Sequence, residues 1–210
     1  MELHDITTVS DEILMKLTTV MNSDCQPGKY SLVEIRDKYV AAGGMDIFYM
    51  KDGAVHSQCM LLDIYPKHKS VYIHDVCVAK THRGQGLFKK AVEFLAKHYA
   101  KRGFKKLTLD ASDSTKEAGL DQKARVAIFS KAGFKVSPMT DTWDSKGEYK
   151  SVPTRVLLDS GSIGNANSPI GEIKRCYGLD DEFISCPMSM DISKKSGGKK
   201  RKTRRTVKRR

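Results

Sequence analysis

Arg83-Gly84-Gln85-Gly86 stands between an alternating run, Val71 to Val78, and a stretch whose apolar residues Phe88, Ala91, Val92, Leu95 and Tyr99 share one helical face. A strand, a turn without side chains and a helix in that order make a cradle for phosphate. The first N–H groups of a helix lack partners and sit at the positive end of its dipole. Gly84 and Gly86 keep side chains out of the turn, and Lys89 and Lys90 add cations beside it. The backbone N–H groups of Gly84, Gln85, Gly86, Leu87, Phe88 and Lys89 are suited to closing around a pyrophosphate, with Arg83 adding charge-assisted hydrogen bonds. Taken alone, the tetrapeptide fits an ordinary strand-to-helix turn of another α/β domain equally well.

Three further stretches occur in a telling order. Tyr72-Ile73-His74-Asp75-Val76-Cys77-Val78 precedes the turn, Leu107-Thr108-Leu109-Asp110 follows the helix, and Ala127-Ile128-Phe129-Ser130-Lys131-Ala132-Gly133-Phe134 lies beyond. Together they resemble the acyl-CoA site of the GNAT superfamily of N-acetyltransferases, whose Arg/Gln-x-x-Gly-x-Gly/Ala signature falls on Arg83, Gly86 and Phe88. Phe88 departs from it, standing where a small residue is usual and where bulk would narrow the room for the pyrophosphate. The resemblance implies a mixed α/β fold over residues 1 to 158, with a mostly antiparallel sheet flanked by helices in the order β-α-α-β-β-β-α-β-α-β-β. It implies acetyl-CoA as acyl donor, its pantetheine arm held by the backbone of Val76, Cys77 and Val78, and an amine as acceptor: a small amine or polyamine, a protein lysine or an N-terminus.

Such an amine is mostly protonated at pH 7, so a base or a water chain must take its proton. His74 and Asp75 are the two candidates. His74 has the better matched pKa. In the spermidine/spermine N-acetyltransferases, whose Leu-Glu-Asp stretch resembles Ile73-His74-Asp75, an acid stands at the position of His74. Alternation along a strand sends neighbours to opposite faces, so both can face the amine only if a bulge intervenes. A structural hydrogen bond is the alternative role for His74. The family's thiolate-protonating tyrosine corresponds to Phe129, which has no proton to give. That departure supports a rival reading, a catalytically inactive acyl-CoA-binding protein whose basic tail binds nucleic acid or directs nuclear import. Gln122 replaces the family's asparagine near the start of the same helix. His82 is expected to pack under the turn, and Trp143 and Tyr149 flank the region where the family builds part of its acceptor site.

At 210 residues, 40% apolar and 30% charged, the chain has the composition of a soluble globular protein. No run approaches a bilayer span and the start lacks a secretory pattern, so no membrane partner and an intracellular, cytoplasmic or nuclear, location are expected. Cys25, Cys59, Cys77, Cys176 and Cys186 show no metal-like spacing and are an odd number, which suits free thiols in a reducing compartment. Cys77 could serve as a covalent nucleophile, although a small buried residue is the favoured role. The histidines form no ligand spacing, and no metal is expected.

The net charge of +12 is concentrated at one end: 11 of the 37 bases lie between Lys194 and Arg210, where there is no acid, leaving residues 1–193 with 26 bases against 25 acids. This tail is similar to nuclear-localisation and nucleic-acid-binding segments, with a plain solubilising role as the alternative. Upstream, Ser10 suits an N-cap for a helix through Met21, and Ser31 with Glu34 suits a capping box for a second. Met45–Met50 and Val55–Ile64 read as a hairpin around Asp52-Gly53, and a last strand is expected over Val152–Leu158. Residues 159–193 read as a Gly/Ser/Asn-rich linker and an extension without a clean period, and 194–210 as a basic disordered tail.

Overall fold

The computed structural model describes residues 1–25, 31–39, 44–112, 122–143, 149–153, 155–158, 163–165, 173–177 and 185–193. The chain begins with strand β1 (Glu2–Asp5) and helices α1 (Asp11–Asp24) and α2 (Leu32–Tyr39). The meander β2 (Met45–Asp52), β3 (Val55–Tyr65) and β4 (Ser70–Val78) follows. Helix α3 (Leu87–Lys101), strand β5 (Lys106–Ser112), helix α4 (Gln122–Lys131) and the short β6 (Lys135–Val136) come next. Short strands β7 (Met139–Trp143), β8 (Tyr149–Pro153), β9 (Arg155–Leu158), β10 (Ile163–Asn165) and β11 (Ile173–Tyr177) then lead to β12 (Ser185–Asp191). Among the described residues no helix is long and apolar enough to cross a membrane.

Seven strands form one sheet in the order β1-β2-β3-β4-β5-β12-β6, antiparallel throughout except for the parallel pair β4–β5. Each face buries its own core. Leu14, Leu17 and Met21 recur on one side of α1 and pack with Leu32 of α2 on Ile47, Tyr49, Cys59, Leu61 and Cys77. On the opposite face, α3 buries Ala91, Val92, Leu95, Ala96 and Tyr99 against Phe48, Met60, Leu62, Val71 and Ile73, and α4 joins it through Val126. The apolar stripe read from the sequence of α3 is the stripe it buries. The Ser31 hydroxyl accepts the Glu34 N–H at 3.3 Å, as a capping box requires. Ser10 holds the N-cap position of α1 without a side-chain cap bond.

The elements follow the expected order as far as β6, but the last member is not Val152–Leu158. Those residues divide between β8, paired with β7, and β9, the centre of a small β10-β9-β11 sheet. Part of the expected linker is thus strand β10. The seventh strand of the main sheet is β12, which enters between β5 and β6 and buries Cys186, Met188, Met190 and Ile192 nearby. A domain ending at residue 158 would therefore lack β12, the strand that joins β6 to the sheet. Pro187 is tolerated there because its carbonyl accepts the Ser137 N–H at 2.8 Å. In a strand, N and C=O of one residue point the same way, so the missing N–H faces the short β6 and spares the β5 ladder. The tail, 194–210, lies outside the described residues.

The thiols also differ from expectation. Cys25 and Cys77 form a disulfide across 52 residues of sequence, and Cys186 is disulfide-bonded as well. Among the described residues the free cysteine is Cys59, whose buried thiol is pushed up in pKa by desolvation and by the charge of Asp75. The inference from free thiols to a reducing compartment therefore falls away, as does a nucleophilic role for Cys77.

The fold makes two outcomes measurable. Burial of Met188, Met190 and Ile192 contributes about 1.5–3 kcal/mol each, a total comparable with the net stability of about 5–15 kcal/mol for a whole domain. A chain ending at Leu158 should show no cooperative thermal unfolding, and one ending at Ser193 should retain it. On the α3 face, the Tyr99 hydroxyl donates to the half-buried Asp46 carboxylate at 2.5 Å. Tyr99→Phe should cost about 1–3 kcal/mol in urea titration by leaving that carboxylate short of a donor.

Candidate active site

The site is organised by the way β4 and β5 separate. They hydrogen-bond from Ser70↔Lys106 to Tyr72↔Thr108, after which β4 keeps only β3 as a partner and β5 only β12. At the point of parting, β4 carries one residue more than β3: Leu62 faces Ile73 and Leu61 faces Asp75, with His74 as the extra residue. A bulge bends its strand and adds twist, which swings the far half of β4 away from β5. Val76, Cys77 and Val78 lie along this open lip. The Val78 carbonyl is already taken by Arg83 Nε at 3.1 Å, and the Cys77 side chain turns into the α1 face as half of the disulfide.

At the end of the lip, a 3-10 turn (Lys80–His82) and two glycines lead into α3. Gly84 has φ +78° and Gly86 φ +71°, the left-handed region that side chains disfavour. A Cβ added to either would meet nothing within 4 Å, so the turn is open in front of both. Gly86 is the N-cap of α3 and supplies no side-chain cap, and the first turn of the helix holds no acid. Its leading N–H groups, on Leu87, Phe88 and Lys89, are therefore left to a ligand or water. Phe88 does not crowd the turn. Its ring points into the core, 5.2 Å from the Phe129 ring and 6.5 Å from Phe134. Gln85 and Lys89 are exposed beside the opening, and the Gln85 amide donates to the Thr81 carbonyl at 3.4 Å.

Arg83, expected on the pyrophosphate, is engaged elsewhere. Its Nη2 donates to the Asp24 carbonyl at 2.5 Å, so the guanidinium sits on the carboxyl end of α1, where the helix dipole favours a cation. Lys80 strengthens the same seam, with N–H to Asp24 Oδ2 at 2.8 Å and Nζ to the Ser23 carbonyl at 3.1 Å. Burial pushes the Asp24 pKa up, but the Lys80 N–H, the Ser23 hydroxyl and the two cations outweigh it and hold the carboxyl below its usual value. His82 lies with Nδ1 2.8 Å from the Thr81 hydroxyl and Nε2 3.4 Å from Asp52 Oδ2.

The bulge brings both candidate bases to one face. His74 Nδ1 lies 3.1 Å from Asp63 Oδ2, and Nε2 lies 3.9 Å from Asp75 Oδ2. The two carboxylates are 15% and 12% exposed in their side chains against 40% for His74, so the imidazole is the group that solvent reaches. The Asp63 hydrogen bond, with help from the charges of Asp75 and Asp63, holds the His74 pKa above its ordinary value against the opposing effect of burial. With Nδ1–H donating to Asp63, the neutral ring keeps its Nε2 lone pair available. Tyr72, on the same face, donates to Asp110 of β5 at 3.3 Å. Burial and then the Asp110 charge raise its pKa, so the phenol keeps its proton. Neither Asp63 nor Tyr72 belongs to a motif that sequence reasoning selects. Counting back from the turn after Tyr65, with Tyr65 facing Ser70, would have placed Asp63 opposite Tyr72 and diagonal to His74.

The far lip is held by α4. Gln122, fully enclosed, donates from Nε2 to the Ala111 carbonyl of β5 at 3.0 Å. Phe129 contributes a ring and no hydroxyl. Trp143 and Tyr149 face each other in the β7–β8 ribbon; their side chains lie outside the described residues.

The model of the Acetyltransferase (GNAT) family matches residues 11–134. Solved structures with the same fold include the ribosomal-protein-S18-alanine N-acetyltransferase of Escherichia coli (TM-score 0.54, 12% identity, 95% of this chain and 97% of that one). An aminoglycoside 6'-N-acetyltransferase complexed with coenzyme A superposes with a TM-score of 0.57 at 12% identity, over 91% of this chain and 97% of that one. A chimera of the spermidine N-acetyltransferase SpeG from Vibrio cholerae with hSSAT gives 0.53 at 12% identity, over 93% and 98%. A search of curated proteins finds no match. The forked sheet, the uncapped helix start behind its two glycines and a family match over more than half of the sequence agree, and the chain belongs to the GNAT acetyltransferase family.

Proposed function

We propose that this protein transfers an acetyl group from acetyl-CoA to a primary amine, with His74 as the base. The observation that carries this reading is the His74–Asp63 pair at the mouth of the β4–β5 fork, in line with the open turn at Gly84 and Gly86. The N–H groups of Leu87, Phe88 and Lys89 would hold the pyrophosphate, and the unpaired lip of β4 the pantetheine arm. His74 Nε2 takes a proton from the ammonium; the free amine nitrogen bonds to the thioester carbonyl carbon; the C–S bond breaks as the thiolate leaves, and the second proton, shed by the nitrogen as it becomes the amide, reaches the thiolate through solvent. A CoA thiolate, with a pKa of about 8.5 by the cysteine reference, is stable enough to depart and be protonated by solvent, which is the route Phe129 leaves open. The acidic surroundings, Asp63, Asp75 and Asp110, suit an acceptor that arrives as a cation.

Phe129 also supports a second reading, a catalytically silent acyl-CoA-binding protein. The two separate in a CoA-release assay across polyamines, lysine peptides and small amines. Turnover on any of them supports the enzyme; background rates throughout, with acetyl-CoA bound in calorimetry, support the silent binder.

Two variants test the assignment. Gly86→Glu places a carboxylate at the positive end of α3 and should abolish acetyl-CoA binding in calorimetry, whereas Gly86→Ala should cost about 1–2 kcal/mol of stability from its left-handed backbone and leave measurable affinity. Because the Asp63 hydrogen bond raises the His74 pKa, kcat/KM should climb with pH through a midpoint displaced upward from that of an ordinary histidine. Asp63→Asn should move that rise to lower pH. His74→Ala should remove it and lower kcat by about 10²–10⁴-fold; an unchanged profile would assign the base elsewhere.

A further inference from the structure

The end of the sheet remote from the glycine turn is built from three segments distant in sequence. The β3–β4 turn, the α3–β5 loop and the residues after β12 are laced together: Lys105 and Lys106 N–H both donate to the Lys69 carbonyl, at 2.7 and 3.3 Å, and Ile192 N–H donates to the Lys105 carbonyl at 2.8 Å. This junction brings six exposed bases onto one end of the molecule, Lys67, Lys69, Lys101, Arg102, Lys105 and Lys106. Of these, Arg102 alone has a carboxylate within 4 Å among the described residues, Asp46 at 3.9 Å. One exposed acid, Asp191, stands opposite Lys106 in the β5–β12 ladder and accepts from the Ser193 N–H at 2.8 Å and hydroxyl at 2.6 Å, one exposed carboxylate set against the six bases.

A second feature points the same way. Lys69 has φ +51°, the one non-glycine residue in the left-handed region among those described. Glycine or asparagine would adopt that conformation with less strain, yet a lysine stands there, at the centre of the junction. The root of the tail sits beside it: Ser193 is followed in sequence by 17 residues with 11 bases and no acid.

We propose that this end of the domain is a surface for the sugar-phosphate backbone of a nucleic acid duplex, bound without regard to sequence, and that the 11 bases following Ser193 in sequence add to the same attraction. Phosphate is the partner that a dense set of cations, nearly all without a carboxylate partner, fits through counterion release. The surface is made of turns and the ends of α3 and β5, with no helix lying along it to read a groove. The tail has no aromatic residue on which unpaired bases could stack and a single large apolar one, Val207. None of the exposed large hydrophobics, Met1, Met15, Val55, Ile128 and Met139, lies in the three segments, so an acyl layer would find nothing to receive. The opposite end of the sheet carries the glycine turn, so duplex and acyl donor do not compete for space.

The test uses the full chain and a fluorescently labelled random-sequence DNA duplex, with affinity measured by anisotropy across a salt series. In one variant, Lys67→Gln, Lys69→Asn, Lys105→Gln and Lys106→Gln are combined; Asn suits the left-handed backbone at that position. A second variant ends at Ser193. Each phosphate that the protein ceases to neutralise reduces the slope of log K against log salt by about 0.9. In the fourfold variant, with its tail intact and an unchanged thermal melt, the slope should fall by about three to four, and the truncated chain should keep a residual slope of that size. A fourfold variant with the slope of the unaltered chain would overturn the proposal, leaving the tail as the sole binder. Equal affinity at matched salt for polyglutamate or for phosphatidylserine vesicles would overturn the choice of nucleic acid.

Discussion

Strands β4 and β5 share three hydrogen-bonded residue pairs and then part, and nearly everything proposed for the site depends on where they do so. Parallel strands that stayed paired would spend their backbone groups on each other. Because they diverge, part of the backbone on the inner edge of β4 is left for an extended ligand such as a pantetheine arm. The single residue by which β4 outruns β3 lies at the point of divergence and has a second effect. It puts His74 and Asp75 on one face, which an unbroken alternation forbids, and sets the imidazole against Asp63 from the neighbouring strand. Geometry of the donor side and chemistry of the acceptor side thus trace to one irregularity.

The walls of the fork are fastened differently on its two faces. On the α1 side the ties are covalent and polar: the Cys25–Cys77 bond, the Arg83 guanidinium on the Asp24 carbonyl, and Lys80 on Ser23 and Asp24. On the α3–α4 side the tie is apolar, a stack of Phe88, Phe129 and Phe134. The two departures from the family pattern that stand out in the sequence, Phe88 for a small residue and Phe129 for tyrosine, are therefore contact partners. Each accounts for the other as packing: the ring at 88 needs an apolar neighbour, and a phenol at 129 would have to find a partner for its hydroxyl within that stack.

Much of this was legible in the residues. The helical stripe of α3, the hairpin of β2 and β3, the capping serine of α2 and the glycine turn all rest on local rules of period, turn chemistry and backbone freedom, and they hold. What escaped was non-local. Cys186, Met188 and Met190 alternate with Pro187, Ser189 and Asp191, a usable period of two, but the proline and the Gly/Ser-rich stretch before it masked a strand whose reason to exist is the gap between β5 and β6. Asp63 carries no motif and gains meaning only from hairpin register. Arg83 matches the signature, yet the carboxyl end of α1, some sixty residues upstream, competes for it. Cysteine spacing gave no sign of a bond that depends on α1 ending beside β4.

The placement of β12 has a consequence for how the molecule is made. Among the described residues, strand β6 has no neighbour other than β12, and the outer edge of β5 has none until β12 arrives. During synthesis the ribosome therefore releases a half-built sheet whose edge strand β5 is bare, and that state persists while the six intervening short strands are translated. Closure waits for β12, which pairs with β5 only after β6 to β11 have been made, so assembly of this core is a long-range event.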